Sequence, residues 1–164
     1  MTVRAVRAGE GGRLRELRLS ALSDAPGAFA SSLQGEAARS ESFWNELASA
    51  SATAREGVVL VAVSGQNWTA MAGSRWFDES AGIVQLWGMW VEPAARGRGL
   101  GRMLVSTVAT WAARRGAVAL RLGVIDPAVE VASFYEHLGF KRTGETKLLP
   151  RDGAVRAFFL AKSL

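Results

Sequence analysis

Residues 83–102, IVQLWGMWVEPAARGRGLGR, join an apolar run to a glycine-rich loop and the start of a helix. Ile83 to Val91 is apolar on both faces, which predicts a central strand, and Gly88 within it marks a bulge. Glu92-Pro93 stops that strand. A helix is expected from near Gly99, with Leu100, Leu104, Val108 and Trp111 on one face and Gly116 closing it. Between strand and helix, Arg96-Gly97-Arg98-Gly99-Leu100-Gly101-Arg102 lays glycines at a helix N-terminus, where the first N–H groups lack partners and the dipole is positive. Residues 96–115 hold five Arg and no acid. The loop suits a phosphate, although the same spelling also serves a solvated turn. Two phosphate loops are excluded: Gly101-Arg102-Met103 is not Gly-Lys-Ser/Thr, and Arg102 or Leu104 stands where the dinucleotide fingerprint needs its third glycine.

Outward from this stretch the period of the apolar residues alternates between strand and helix. Thr2 to Ala8 reads as a strand, and Leu14, Leu17, Ala21 and Leu22 mark a helix with Arg13, Arg15, Glu16 and Arg18 between them, ended by Asp24-Ala25-Pro26-Gly27. A second helix is expected within Glu36 to Ala50. Val58 to Ser64 and Trp68 to Phe77 form a hairpin around Gly65-Gln66-Asn67, and Asp78 to Gly82 turns into the central strand. After the helix that follows Gly99, Ala117 to Ile125 is a strand. Asp126 and Pro127 read as N-cap and first position of a helix with Val131, Phe134, Tyr135 and Leu138 on one face, ending at Gly139. A last hairpin pairs Phe140 to Leu149 with Val155 to Leu164 around Pro150-Arg151-Asp152-Gly153.

Composition narrows the chemistry. The 164 residues suit one domain. With no Cys, disulfides, thiolate nucleophiles and Cys-ligated zinc are excluded; His137 is the only His where the common His-rich metal sites need two or three, and no metal is expected. The net charge of +5 invites a nucleic-acid reading, but Arg outnumbers Lys 17 to 3 and no recognised DNA motif or basic–aromatic groove is present, so no nucleic-acid partner is expected. No apolar run approaches the roughly 20 residues of a membrane span, and the expected location is cytoplasmic, away from membrane.

Arg-x-x-Gly-x-Gly at Arg96, Gly99 and Gly101, preceded by Met89 to Pro93, together with Ser133-Phe134-Tyr135-Glu136-His137-Leu138-Gly139-Phe140, resembles the GCN5-related N-acetyltransferases (GNAT). The two blocks lie in that family's order over residues 83–140. The resemblance implies an α/β (α+β) fold, with a mostly antiparallel sheet of about seven strands flanked by helices and a cleft where the two central strands splay. Residues 1–164 would form a single domain, with 83–140 the acetyl-CoA core and 9–56 a helical cover on the acceptor side. Acetyl-CoA would be cosubstrate, its arm held by the backbone of Met89, Trp90 and Val91 and its pyrophosphate by Arg96, Gly97, Arg98, Gly99, Leu100, Gly101 and Arg102. Tyr135, the only tyrosine, would protonate the departing thiolate as catalytic residue, since a phenol stays protonated at neutral pH. Its helix spacing also fits a core aromatic. Phe29, Gln85 and Trp87 would face the acceptor, with Trp76 also on the strands that border it.

Two positions depart from the family pattern. Ala128 replaces an Asn that contacts the cofactor in many members, with Val131 where a small Ala is frequent. Gln85 replaces a Glu found in lysine-acetylating members, and an amide cannot act as a base. Asp24, Glu36 or Glu41 would then take the amine's proton, or water would. The implied activity is acetyl transfer by direct attack of a primary amine, small or peptidic. An acyl-CoA-sensing module without catalysis is the alternative that Gln85 supports. Residues 24–54 carry Asp24, Glu36, Glu41 and Glu46 against Arg39 alone, which favours a cationic acceptor. A homodimer is left open.

Overall fold

The computed structural model describes residues 1–149 and 155–164. In chain order the elements are β1 (Thr2–Ala5), α1 (Gly11–Asp24), α2 (Leu33–Ala37), α3 (Glu41–Thr53), β2 (Gly57–Ser64), β3 (Asn67–Asp78), β4 (Ile83–Val91), α4 (Leu100–Arg114), β5 (Ala119–Ile125), α5 (Val129–His137), β6 (Lys141–Leu149) and β7 (Val155–Ser163). The strands form one sheet, ordered β1-β2-β3-β4-β5-β7-β6. β4 and β5 run parallel, and every other neighbouring pair is antiparallel.

The parallel pair is short. It is registered at Ile83↔Ala119, Val84↔Leu120 and Gln85↔Arg121, whereas β5 stays paired with β7 as far as Ile125↔Ala157. From Leu86 and Leu122 onward, β4 and β5 separate. The bulge expected at Gly88 is present: Trp87 faces Gly73 and Trp90 faces Met71, so Gly88 and Met89 together oppose Ala72. Gly88 has φ +62°, a left-handed conformation in which a side chain would be strained. The extra residue bends β4 and adds twist where the two strands part.

Helices cover both faces of the sheet. On one, Leu100, Leu104, Val105, Val108 and Ala112 of α4 pack with Leu60, Ala72, Val84, Leu120 and Leu122, and α5 joins them through Ala132 and Tyr135. On the other, Leu14, Leu17, Ala21 and Leu22 of α1 and Trp44 and Ala48 of α3 pack on Val59, Val61, Met71 and Trp90. Burying each Leu contributes about 1.5–3 kcal/mol, so both faces are anchored through the central strands.

Four expectations are corrected. The single helix within Glu36 to Ala50 is two: Ser32 Oγ caps α2 at the Gly35 N–H (3.0 Å) and Ser40 Oγ caps α3 at the Phe43 N–H (3.2 Å), so each serine starts its own helix. Asp126 does not cap α5. Its N–H donates to the Arg156 carbonyl (2.9 Å), continuing the sheet, and the Ala128 N–H returns to the Ile125 carbonyl (3.0 Å), which delays the helix to Val129. Val131 is exposed instead of sharing the buried face with Tyr135. The first strand stops at Ala5, ahead of the turn in which the Glu10 N–H meets the Arg7 carbonyl. The turn expected at Pro150 to Gly153 lies outside the described residues.

Candidate active site

The divergence of β4 from β5 opens a cleft of about 670 Å³. One wall is Leu86 to Val91, the other Leu122 to Ile125, and its end is closed by the glycine loop with Phe134 and Tyr135 above. Gly97 and Gly99 adopt left-handed φ of +74° and +77°, with open space where a Cβ would stand. Gly99 occupies the N-cap of α4 without a side-chain cap. The N–H groups of Leu100, Gly101 and Arg102 open the helix and thus have no helical acceptor. Gly101 is small for a second reason, since a Cβ there would lie 3.0 Å from the Phe134 ring. A cradle of free amides at a positive helix end, reached through open backbone, fits a pyrophosphate. The unpaired edge of β4 beyond Gln85 fits an extended amide-bearing arm.

The loop residues are used unequally. Arg96, Gly97, Gly99, Leu100, Gly101 and Arg102 line the cleft, as do Met89, Trp90, Val91 and Ala128, whereas Arg98 does not. Arg96 is already engaged: its Nε donates to the Val91 carbonyl (2.9 Å) and its Nη2 to Asp24. Trp90 donates its indole N–H to the same Asp24 carboxylate (2.9 Å). These bonds, Trp90 first and Arg96 second, hold the Asp24 carboxyl below its ordinary range. Asp24 therefore pins the end of α1 to β4 and to the mouth of the glycine loop.

Tyr135 is buried at the seam of β4 and α5, edge-on to Phe134 and Phe140 with ring centroids 5.0 and 5.6 Å away. Its hydroxyl donates to Met89 Sδ at 3.5 Å. Sulfur is a weak acceptor, so the hydroxyl is only weakly engaged as a donor and can turn to a better acceptor. Burial pushes its pKa above the ordinary tyrosine value, which keeps the donor form. His137, two residues on, is exposed and bonds back to the Ser133 carbonyl (2.7 Å).

A second cavity of about 630 Å³ runs under α2 and α3 on the other sheet face. It meets the cleft at a neck whose residues line both: Ala28, Phe29, Leu86, Trp87, Gly88, Gly123 and Ile125. Phe29 and Trp87 thus stand at the junction, and Gln85 lines only the second cavity, with its amide donating to the Leu86 carbonyl (3.2 Å). Trp76 lines neither. Of the acids expected to receive a proton, Glu36 lines this cavity and is buried, bonded to Arg39 Nε at 3.0 Å, while Asp24 and Glu41 do not line it.

Two contributors were not singled out in the sequence. Gly73 is one: a Cβ there would stand 2.2 Å from the Trp87 indole, so its absence seats that ring at the neck. Gly73→Ala is expected to destabilise the protein by about 1–3 kcal/mol through overpacking and to displace Trp87, a change that chemical denaturation and tryptophan fluorescence would detect. Arg18 is the other. It sits at i+4 from Leu14 and i−4 from Leu22, inside the apolar stripe of α1, and that spacing was the available signal.

The model of the acetyltransferase (GNAT) family matches residues 19–140, and the chain belongs to that family. A GNAT-family acetyltransferase from Streptococcus pneumoniae superposes with a TM-score of 0.83 at 15% identity, covering 99% of this chain and 98% of that one. YncA of Salmonella typhimurium, a putative acetyltransferase solved with its cofactor acetyl-CoA, gives 0.79 at 22% identity over 100% and 94%. The PaiA N-acetyltransferase of Thermoplasma acidophilum, in complex with coenzyme A, gives 0.75 at 17% over 99% and 98%. No curated protein sequence matches significantly. Among the described residues, no helix is long and apolar enough to cross a membrane.

Proposed function

We propose that this protein transfers acetyl from acetyl-CoA to a primary amine by direct attack, with no covalent enzyme intermediate. The observation that carries this reading is the meeting of two cavities at a neck, one of them lined by Tyr135 and suited to a phosphate-bearing ligand and the other separately reached. Acetyl-CoA, when bound, supplies an acetyl group already activated as a thioester. The chain supplies the rest. Amides of Gly97 to Arg102 hold the pyrophosphate, and backbone groups of Met89 and Val91 orient the arm and present an N–H to the thioester oxygen. Tyr135 keeps a proton for the leaving sulfur.

The amine must lose its own proton on the acceptor side. Of Asp24, Glu36 and Glu41, Glu36 lines this cavity, and Glu56 lines it as well, so one of these two carboxylates takes the proton directly or through water, whereas Asp24 is committed to Trp90 and Arg96. The test is a CoA-release assay across small amines, amino acids, aminoglycosides and peptides, run beside acetyl-CoA calorimetry. Amine-dependent CoA release supports the proposal. Acetyl-CoA binding without turnover of any amine would instead identify the sensing module that Gln85 favours.

A further inference from the structure

Arg18 is buried, with 6% of its surface exposed, in a cavity-lining position on α1. Its guanidinium lies over the Phe29 ring, 4.6 Å from the centroid. Nη2 reaches Ser31 Oγ only at 3.4 Å, and Nη1 is buried with no partner among the described residues. A buried cation with so little bonding is costly unless something else completes it. Among the described residues, no carboxylate does so. Glu36 exerts a field on Arg18 but makes its contact with Arg39. Desolvation lowers the Arg18 pKa from its ordinary value without bringing arginine near neutrality in ordinary buffers.

The position of Arg18 sets what could complete it. Nη1 lies 3.3 Å from where a Cβ on Gly88 would stand, and Gly88 belongs to the neck shared by both cavities. Arg18 itself lines the acceptor cavity and not the cofactor cleft. An oxyanion formed on the cofactor side is therefore a poorer match than an anionic group carried by the acceptor. Guanidinium offers a planar fork that pairs with carboxylate through two parallel bonds. Because the fork lies at the neck, that carboxylate must be close to the attacking nitrogen along the acceptor, as in an amino acid. The expected cationic acceptor rested on residues 24–54, and the acids there are tied to Arg96, paired with Arg39 or away from the cavity.

We propose that Arg18 is a specificity-determining residue that binds the carboxylate of an amino-acid acceptor beside its reacting amine. This rests on the acetyltransferase reading above. Free amino acids, meaning the twenty common ones and β-alanine, would be compared with their carboxamides, each by calorimetry on the protein saturated with CoA and by CoA release from acetyl-CoA. The best acid is expected to exceed its carboxamide roughly tenfold or more in affinity and in kcat/KM. Arg18→Gln should remove that preference while keeping CoA affinity, and Arg18→Lys should restore part of it.

Equal binding of acids and carboxamides to the wild-type protein, or binding of neither, overturns the proposal whether or not the variants fold. A uniform fall in kcat for every amine in Arg18→Gln would assign Arg18 to the reacting carbonyl and overturn it as well. Acid-selective binding without CoA release would leave the Arg18 site standing and overturn the transferase reading, so the two failures are distinguishable.

Discussion

Tyr135→Phe is expected to lower kcat about 10²-fold or more when chemistry limits the rate, the scale of a lost general acid, with little change in the affinity for acetyl-CoA. The ring contacts with Phe134 and Phe140 survive the substitution. Among the described residues the hydroxyl's one partner is the Met89 sulfur, so stability should change by no more than about 1 kcal/mol. A thermal melt therefore separates this variant from a misfolded one. The pH dependence has a definite sign. Burial raises the phenol's pKa, so the proton is retained as pH rises, and wild-type kcat should show no alkaline fall due to Tyr135 below about pH 10. A Tyr135→Phe enzyme with unchanged kcat, measured under conditions where chemistry is rate-limiting, would remove the phenol from the mechanism.

Gly99→Asp should weaken acetyl-CoA binding about 10²-fold or more, read by calorimetry. Gly99 has φ +77° and caps α4 with its amide side open. Among residues with side chains, Asp tolerates left-handed backbone comparatively well, and the space beyond Cβ is open, so the fold should persist. A carboxylate at this point competes with the pyrophosphate for the free N–H groups and repels it, reversing the local charge that favours an anion at a helix N-terminus. Heat protection by acetyl-CoA should decline in parallel, since it follows affinity by mass action. Equal affinity in the two proteins would mean that the phosphates lie elsewhere.

The β4 strand, its bulge and the glycine-loop helix start were legible because their signals are local. Glycine spacing, a proline stop and an apolar stripe each act within a few residues, and the Gly88 bulge and the Gly99 helix start both appear where those patterns put them. What escaped depends on partners remote in sequence. Arg18 looked like one more solvent-facing arginine, although its spacing from Leu14 and Leu22 placed it in the stripe. Asp24 looked like a free acid, yet its partners are 66 and 72 residues away. The Asp126-Pro127 pair reads as a helix start, but pairing of Asp126 with Arg156 extends the sheet first. Net charge over residues 24–54 was a sum over side chains that face different surroundings.

Because β4 and β5 part after only three paired positions, the sheet is perforated instead of merely grooved. The cleft leaves the neck toward the glycine loop, and the other cavity leaves it beneath α2 and α3. On the proposed function, two ligands would approach one reaction point along separate corridors, and neither would have to pass the other. In steady-state terms, each product can vacate its own corridor while the opposite one refills, so CoA should compete with acetyl-CoA without competing with the acceptor.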